Sequence, residues 1–548
     1  MSKRLYITTA IDYLNGQPHL GHAYEKVITD VIARARRSMG QDVFFLTGLD
    51  EHGQKVQQAA IAEGKVPQAY CDELAASWRA FATKLNLSNN DFIRTTEARH
   101  KQVVQALLLK LFNEDRNRPE QEKNIYKAEY RGFYSARQET FLTEKDRLPD
   151  GTFDPIYGEV LELVEENYYF RLSKYQGWLL DFLRQNRDFI YPGSRWNEII
   201  GFLAQPLEDL CITRPKARLS WGIPLPFDAN FVTYVWFDAL VNYITVPASL
   251  GDPTILKALA PYLPAEFRRS NGETRLWESS EQAEVIHVIG KDIVKFHAVY
   301  WPIMLEAAGL PLPKKLLAHG WWEKDGKKMS KTTGNVVDPV VIFDEWGVDA
   351  FRYYVVRELD IGPDGNWTDA GFRARYHAEL ANGLGNLVNR SLSMLKRYRN
   401  GVVPAHPGQN QSDVSKGLQA EAEKVMTESR TLLAQFQLQD TLKSIWGLVT
   451  RANQYVDQTA PFKLAKDASK ADQLDEVLYD LAETCRILAV LLWPFVPDTA
   501  SRIYAQLGLD NGVDNFKNAP WGGLAPGHKI GEPAPLFPRK DQPKGVVA

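Results

Sequence analysis

The chain has 548 residues, 44% of them hydrophobic and 24% charged, with a formal net charge of -3. That is the composition of an ordinary globular protein, and it excludes nucleic-acid binding through overall charge, so any polyanion site has to be a local patch. Cys71, Cys211 and Cys485 are too far apart in sequence for a disulfide framework or a thiolate-built zinc site.

The first residues, MSKRLYITT, run directly into a strand pattern, so no signal peptide is read and a cytosolic protein is expected. Residues 4–65 predict strand, helix, strand, helix. LYITTA is the first strand and HLGHAYEKVITDVIARARRSMG a helix ending at Gly40. DVFFLTG is a buried strand, and DEHGQKVQQAAIAEG a second helix. Alternation at this spacing predicts a parallel, doubly wound sheet. Residues 116–225 are richer in charge, Gly and Pro, with short β-like runs, and read as an insertion. The α/β pattern returns at 283–322: AEVIHVIG is a strand, KDIVKFHAVYWPIMLEAAG a helix and KLLAHGWW a strand. From 371 helical periodicity dominates, with helices expected near 371–399, 413–436, 438–460 and 472–507. The stretch 487–497 is the longest apolar run, too short for a membrane span and broken by Pro494. The Gly- and Pro-rich tail, 519–548, is expected to wrap the surface in extended form.

Two segments carry chemistry. His19 and His22 open the first helix, where unpaired backbone N–H groups and the helix dipole favour phosphate. They face the same way, and Gly21 leaves room for a flat ring such as adenine. Two surface histidines at a helix start is the alternative. The second segment, KDGKKMSKTTGN at 324–335, presents Lys327, Lys328 and Lys331, interleaved with Ser330 and followed by Thr332. It is either a solvated turn or a loop that closes over a triphosphate and neutralises departing pyrophosphate.

HLGH together with KMSKT resembles the two signatures of class I aminoacyl-tRNA synthetases. TTAIDYLNGQPHLGH, FFLTGLDEHG, YVWFDALVNY, IGKDIVKFH and KKMSKTTGN, in that order, narrow the resemblance to the bacterial methionyl-tRNA synthetases over nearly the whole chain. The resemblance implies an α/β fold: a Rossmann-like parallel catalytic sheet split by an insertion domain, then an all-α anticodon-binding bundle. The expected divisions are 1–115 and 226–322 for the catalytic halves and 116–225 for the insertion. The loop and linking region take 323–370, the helical domain 371–518 and the tail 519–548.

It also implies activation of methionine by ATP and transfer to tRNA(Met). His19, His22, Lys328 and Lys331 would act on the phosphates, with Mg²⁺ bridging pyrophosphate. Gly21, Gly290, Asp292 and Ser330 would complete the ATP site. The methionine pocket falls on Ala10, Ile11, Tyr13, Asp50, Trp236, Ala239, Tyr243, Ile293 and His297. Aromatic walls suit a polarizable thioether, and Tyr13 or His297 would offer the sulfur a weak hydrogen bond. Asp50 would hold the ammonium, unless it simply caps a helix starting at Glu51. Asp292 would accept from ribose, unless it is merely a first-turn acid. Asp12 departs from the proline or aromatic residue that many family members carry, and Leu240 stands where members vary.

Relatives often hold zinc in the insertion. The matching positions here are Ser135, Gln138, Asp154 and Tyr157, which do not make a zinc site. No structural zinc is expected, and Tyr134, Phe141, Phe153 and Tyr157 are expected to pack the insertion. Six Arg or Lys and one acid, Glu379, fall between Arg373 and Arg399, a stripe suited to RNA or a solvated face. Asn386 and Arg390 match the family's anticodon-reading element, and Phe462 takes the place of its stacking tryptophan, with a core Phe as the alternative. A monomer is expected. The rival readings are a class I synthetase for another apolar amino acid, a non-catalytic tRNA-binding paralogue, or a small-molecule adenylyltransferase. The span 116–225 is short for the editing insertion of the first, and the last has no use for the helical domain.

Overall fold

The computed structural model describes residues 4–14, 16–135, 137, 140–142, 146–265, 267, 283–329 and 334–540. In chain order its strands begin with β1 (Arg4–Thr9), β2 (Asp12–Tyr13), β3 (Asp42–Asp50) and β4 (Asp91–Arg94). Then come β5 (Ile125–Ser135), β6 (Thr140–Leu142), β7 (Val160–Phe170), β8 (Ile190–Tyr191) and β9 (Leu210–Cys211). The remainder are β10 (Thr213–Pro215), β11 (Phe231–Thr233), β12 (Glu284–Gly290), β13 (Lys315–His319), β14 (Trp322–Lys324), β15 (Lys327–Lys328) and β16 (Gly365–Trp367). Helices α1 (Leu20–Ser38), α2 (Gln54–Ala62), α3 (Pro67–Lys84) and α4 (Ala98–Glu114) flank the first strands.

Seven strands form one sheet in the order β2-β3-β1-β12-β13-β8, with β4 also on β3. Its strand pairs are parallel, as the alternating pattern predicts. Leu5, Tyr6, Ile7, Thr8 and Thr9 are all buried, the continuous apolar reading of a strand covered on both faces. One face packs on α1 and continues as a single core into the helical domain, reaching Phe537. The other packs against residues of α4, the insertion and the helix Trp301–Ala307.

The span 116–225 is not one independent insertion. Strands β6-β5-β7-β9 form an antiparallel sheet of their own, but β8 returns to the edge of the large sheet beside β13. Two residues of strand are too few to show as a period, so pattern alone could not find it. Ser135 donates its hydroxyl to the Tyr157 carbonyl at 2.6 Å. Asp154 accepts from the Ile156 N–H at 2.8 Å as a turn cap. Gln138 and the Phe141 side chain lie outside the described residues. Arg147 covers Phe133 and Phe153, and Tyr134 is buried beneath Arg218.

The long helices expected after 371 are interrupted. A π-helical stretch, Tyr376–Gly385, separates Asp369–Arg375 from Asn386–Arg399. The span 472–507 breaks after Leu492 and resumes at Pro497, because Pro494 and Pro497 cannot donate to a continuous helix. The expected helix at Lys291 is likewise a 3₁₀ turn, a π turn and only then an α-helix from Trp301. Residues 519–540 follow the bundle without regular structure, burying Leu524, Ile530, Leu536 and Phe537. Residues 541–548 lie outside the described set.

Arg352 bolts the two halves together. Fully buried, it donates to Asp30 Oδ2 on α1 at 2.7 Å and to the carbonyls of Phe495 (2.9 Å), Pro494 (3.1 Å) and Leu85 (3.3 Å). Burial alone would raise the Asp30 pKa, but the Arg352 and Arg34 guanidiniums and the Ser88 hydrogen bond hold it at about 2. Its folded value is below its unfolded one, so this stability is fully present above about pH 4 and is lost as pH falls towards 2. Arg352→Met is expected to cost ~3–5 kcal/mol by leaving a buried carboxylate short of its partner. Thermal unfolding at pH 7 checks this; an unchanged melting temperature would refute it.

Candidate active site

The turn between β2 and α1 builds the site. His19 is the N-cap of α1 and accepts the Gly21 N–H through Nδ1 at 3.1 Å. His22 Nδ1 accepts the His19 N–H at 3.2 Å, a reciprocal capping box made from imidazoles. Both rings therefore carry their proton on Nε2 when neutral. They stack at 3.7 Å, with Trp78 edge-on to His22 at 4.9 Å. A Cβ at position 21 would come within 3.1 Å of the His19 ring and would push that ring by a few tenths of an ångström, so the glycine lets the ring sit close over the turn.

These histidines line a cavity of about 420 Å³ at the carboxyl ends of the strands, where open parallel sheets bind ligands. Ala10, Ile11, Tyr13, Asp50, Trp236, Ala239, Tyr243, Ile293 and His297 line the same cavity, as do Gly21, Gly290 and Asp292. The β2–β3 register places Tyr13 opposite Asp50. Asp50 does not cap a helix: α2 starts only at Gln54, after Gly53 turns at φ +108°. Trp236 stacks on Phe296 at 3.7 Å.

His297 corrects one expectation. Its Nδ1–H is given to the Ile293 carbonyl at 2.9 Å, and Nε2 accepts the Tyr243 hydroxyl at 2.8 Å. Neither nitrogen is left to serve a sulfur, so His297 is a wall and an anchor for Tyr243. Burial drives its pKa down to about 4, and the ring is neutral at pH 7. Tyr243 also stacks on His287 at 4.0 Å and faces Trp301 at 5.9 Å.

Glu25, Lys55, Asn242, His319 and Trp321 also line the cavity and were not picked out by sequence. His319 ends β13; Nδ1–H goes to the Gly320 carbonyl at 2.8 Å and Nε2 meets Glu25 Oε2 at 2.9 Å. Burial opposes charging this imidazole, but the Glu25 bond and charge outweigh it and raise its pKa. Glu25 lies one helical turn beyond His22, and that spacing was the available signal. Behind the cavity, His52 Nδ1 and His100 Nε2 hold the two oxygens of buried Asp238 at 2.7 and 2.9 Å. Asp238 shares the helix Val235–Leu240 with Trp236 and Ala239.

Asp292 accepts from the Trp321 indole N–H at 3.2 Å. Lys328, on β15, is exposed and sits over that indole ring at 4.3 Å, as does Lys291. The lysine hairpin thus meets the rim of the cavity rather than its interior. Ser330 and Lys331 lie outside the described residues.

In the helical domain Asn386 and Arg390 share a face of their helix. Arg390 reaches Asp457 at 3.4 Å, on the helix that ends just before Phe462. Phe462 is 46% exposed, not core. The expected basic stripe is largely neutralised: Arg375 pairs with Glu358 and Glu379, Lys396 with Glu532 and Arg399 with Asp475.

Residues 5–152 and 155–392 match the family described as tRNA synthetases class I (M). Fold and cavity are those of a class I aminoacyl-tRNA synthetase. Residues 403–543 match the anticodon binding domain of methionyl tRNA ligase. The chain is 40% identical to the methionine–tRNA ligase of Fusobacterium nucleatum over 543 residues, 98% of this chain and 80% of that one. It is 41% identical to that of Bacillus subtilis over 556 residues, 99% of this chain and 79% of the relative. The structure of Mycobacterium tuberculosis methionyl-tRNA synthetase in complex with methionyl-adenylate superposes with a TM-score of 0.86 at 37% identity, covering 98% of this chain and 100% of that one. The chain belongs to the methionyl-tRNA synthetase family.

Tyr243→Phe removes the hydroxyl that donates to His297 Nε2 at 2.8 Å. It is expected to cost ~1–3 kcal/mol, read by thermal unfolding at pH 7. A variant as stable as the parent would show that the Tyr243–His297 bond contributes nothing.

Proposed function

We propose a division of labour for this methionine–tRNA ligase in which the cavity makes methionyl-adenylate and the helical domain selects tRNA(Met). One observation carries it: the sulfur-compatible aromatic wall, Asp50 and the paired imidazoles converge on a single cavity at the strand ends.

Trp236 and Tyr243 receive the thioether, and Asp50 holds the ammonium. Bound this way, the methionine carboxylate points towards His19 and His22. One carboxylate oxygen attacks the α-phosphorus of ATP, the bond to the bridging oxygen breaks, and pyrophosphate leaves. The substrate supplies the nucleophile, so the chain contributes positioning and charge stabilisation. The Nε2–H groups of His19 and His22 donate to the phosphate oxygens as negative charge builds. Lys328 and Lys331 neutralise pyrophosphate from the hairpin. Asp292 and Gly290 take the ribose side. In the second step the terminal ribose hydroxyl of tRNA attacks the adenylate carbonyl and AMP leaves.

Among the described residues no group of three or more His, Cys, Asp or Glu is placed to hold a metal ion. Magnesium would be taken up with ATP, as part of the substrate, and would offset the charge of the departing pyrophosphate. Ser135 and Asp154, at two of the positions matched to zinc ligands in relatives, are engaged in hydrogen bonds, and a hydroxyl and a lone carboxylate are not the thiolate or imidazole set that zinc takes. Asn386, Arg390 and exposed Phe462 form the anticodon-reading patch, the phenylalanine offering a stacking face without an indole N–H. No helix among the described residues is long and apolar enough to cross a membrane.

ATP–pyrophosphate exchange across the amino acids tests the reading: methionine is expected to support it, and a stronger response to leucine, isoleucine or valine would overturn it. Lys331→Ala is expected to slow exchange by about 10²–10³-fold while the KM for methionine moves little. Loss of methionine affinity at an unchanged rate would count against its role. Phe462→Ala is expected to leave exchange intact and raise the KM for tRNA by about ten-fold, the equivalent of one lost stacking contact. Equal aminoacylation kinetics would remove Phe462 from the anticodon patch.

A further inference from the structure

Asp12 lines the cavity beside His22. It is 7% exposed. One oxygen, Oδ1, lies 3.9 Å from His22 Nε2. The other accepts from Lys26 Nζ, itself fully buried on α1 and 5.6 Å from the Trp78 ring centroid. A buried ion pair of this kind is costly and needs a reason. Fold stability is a poor one, since two apolar side chains would pack there at least as well.

The geometry of His22 supplies a better reason. Its Nδ1 is fixed by the His19 N–H and its faces by His19 and Trp78. The Nε2 edge is the side that meets a phosphate, and Asp12 is the charged group placed against it. A bare carboxylate there would repel a triphosphate, but Lys26 makes the pair neutral as a unit. Resting on the assignment of the nucleotide phosphates to the His19–His22 turn, we propose that Asp12, anchored by Lys26, is a positioning residue that aims the His22 Nε2–H at the α-phosphate of ATP.

Burial pushes the Asp12 carboxyl up to about 7, against the pull of Lys26 and with Glu25 adding to the rise. The facing groups are His22, Glu25 and Lys26 from α1, Asp50 from β3 and Lys55 from α2. Asp12 is charged above that pH, so its help is present above about pH 7 and is lost as pH falls through it.

The test is exchange kinetics of Asp12→Asn, which keeps an acceptor for Lys26 and removes the charge. Its kcat/KM for ATP is expected to fall about ten- to hundredfold, with the KM for methionine within about twofold, and the limb expected near pH 7 in the parent is expected to be missing from the variant. The single variant leaves Lys26 as a buried cation. If it does not fold, Asp12→Asn/Lys26→Gln, a neutral hydrogen-bonded pair, carries the same expectation. An unchanged kcat/KM and an unchanged limb, with only the melting temperature lowered, would make Asp12 a packing residue and overturn the proposal. His22→Gln separates this from the underlying reading. If it abolishes exchange while Asp12→Asn does not, only the role of Asp12 falls; if it leaves exchange intact, both fall.

Discussion

A helix that begins with two imidazoles must decide what those imidazoles bond. In α1 each gives its Nδ1 lone pair to a backbone N–H that the helix cannot satisfy internally. That choice fixes the tautomer, stacks the rings and turns both Nε2–H groups to the same side. It also spends the orphan N–H groups that would otherwise receive an anion, so the side chains take over that task. Around the two rings stand a glycine without a Cβ to displace them, the edge of Trp78 and the buried Asp12–Lys26 pair.

A turn of that kind is useful only if it stays put. Helix α1 is buried along nearly its whole length, between the sheet on one side and the helical domain on the other. Asp30 and Arg352 pin its middle, and Arg36, over Phe436, pins its end. The part that meets ATP and the part assigned to tRNA therefore share one apolar core rather than a flexible joint. Charge is handled in the same economical way throughout. Arg375, Lys396 and Arg399 answer local carboxylates, which is why the proposed RNA contact rests on a few groups near Phe462 rather than on a basic stripe.

The residues assigned to methionine were legible as a group that lines one cavity because they fall within long, distinctive words of the sequence. Those that were missed share a different trait. Glu25, His319 and Asn242 are chemically ordinary in sequence and matter only through what faces them across the cavity. His297 was placed correctly but given the wrong task, because nothing in its neighbours along the chain reveals that Ile293 and Tyr243 consume both nitrogens.

Hydrophobic period and turn chemistry are local, and they determined the parallel sheet, the start of α1 and the helical C-terminal domain. Proline breaks, a two-residue edge strand and the pairing of surface charges depend on partners distant in the chain. So does every hydrogen bond that sets a tautomer. Those were decided only when folding brought β2, α1 and β13 around one space, because a side chain's protonation and direction follow from the groups it faces, and sequence order does not say which those are.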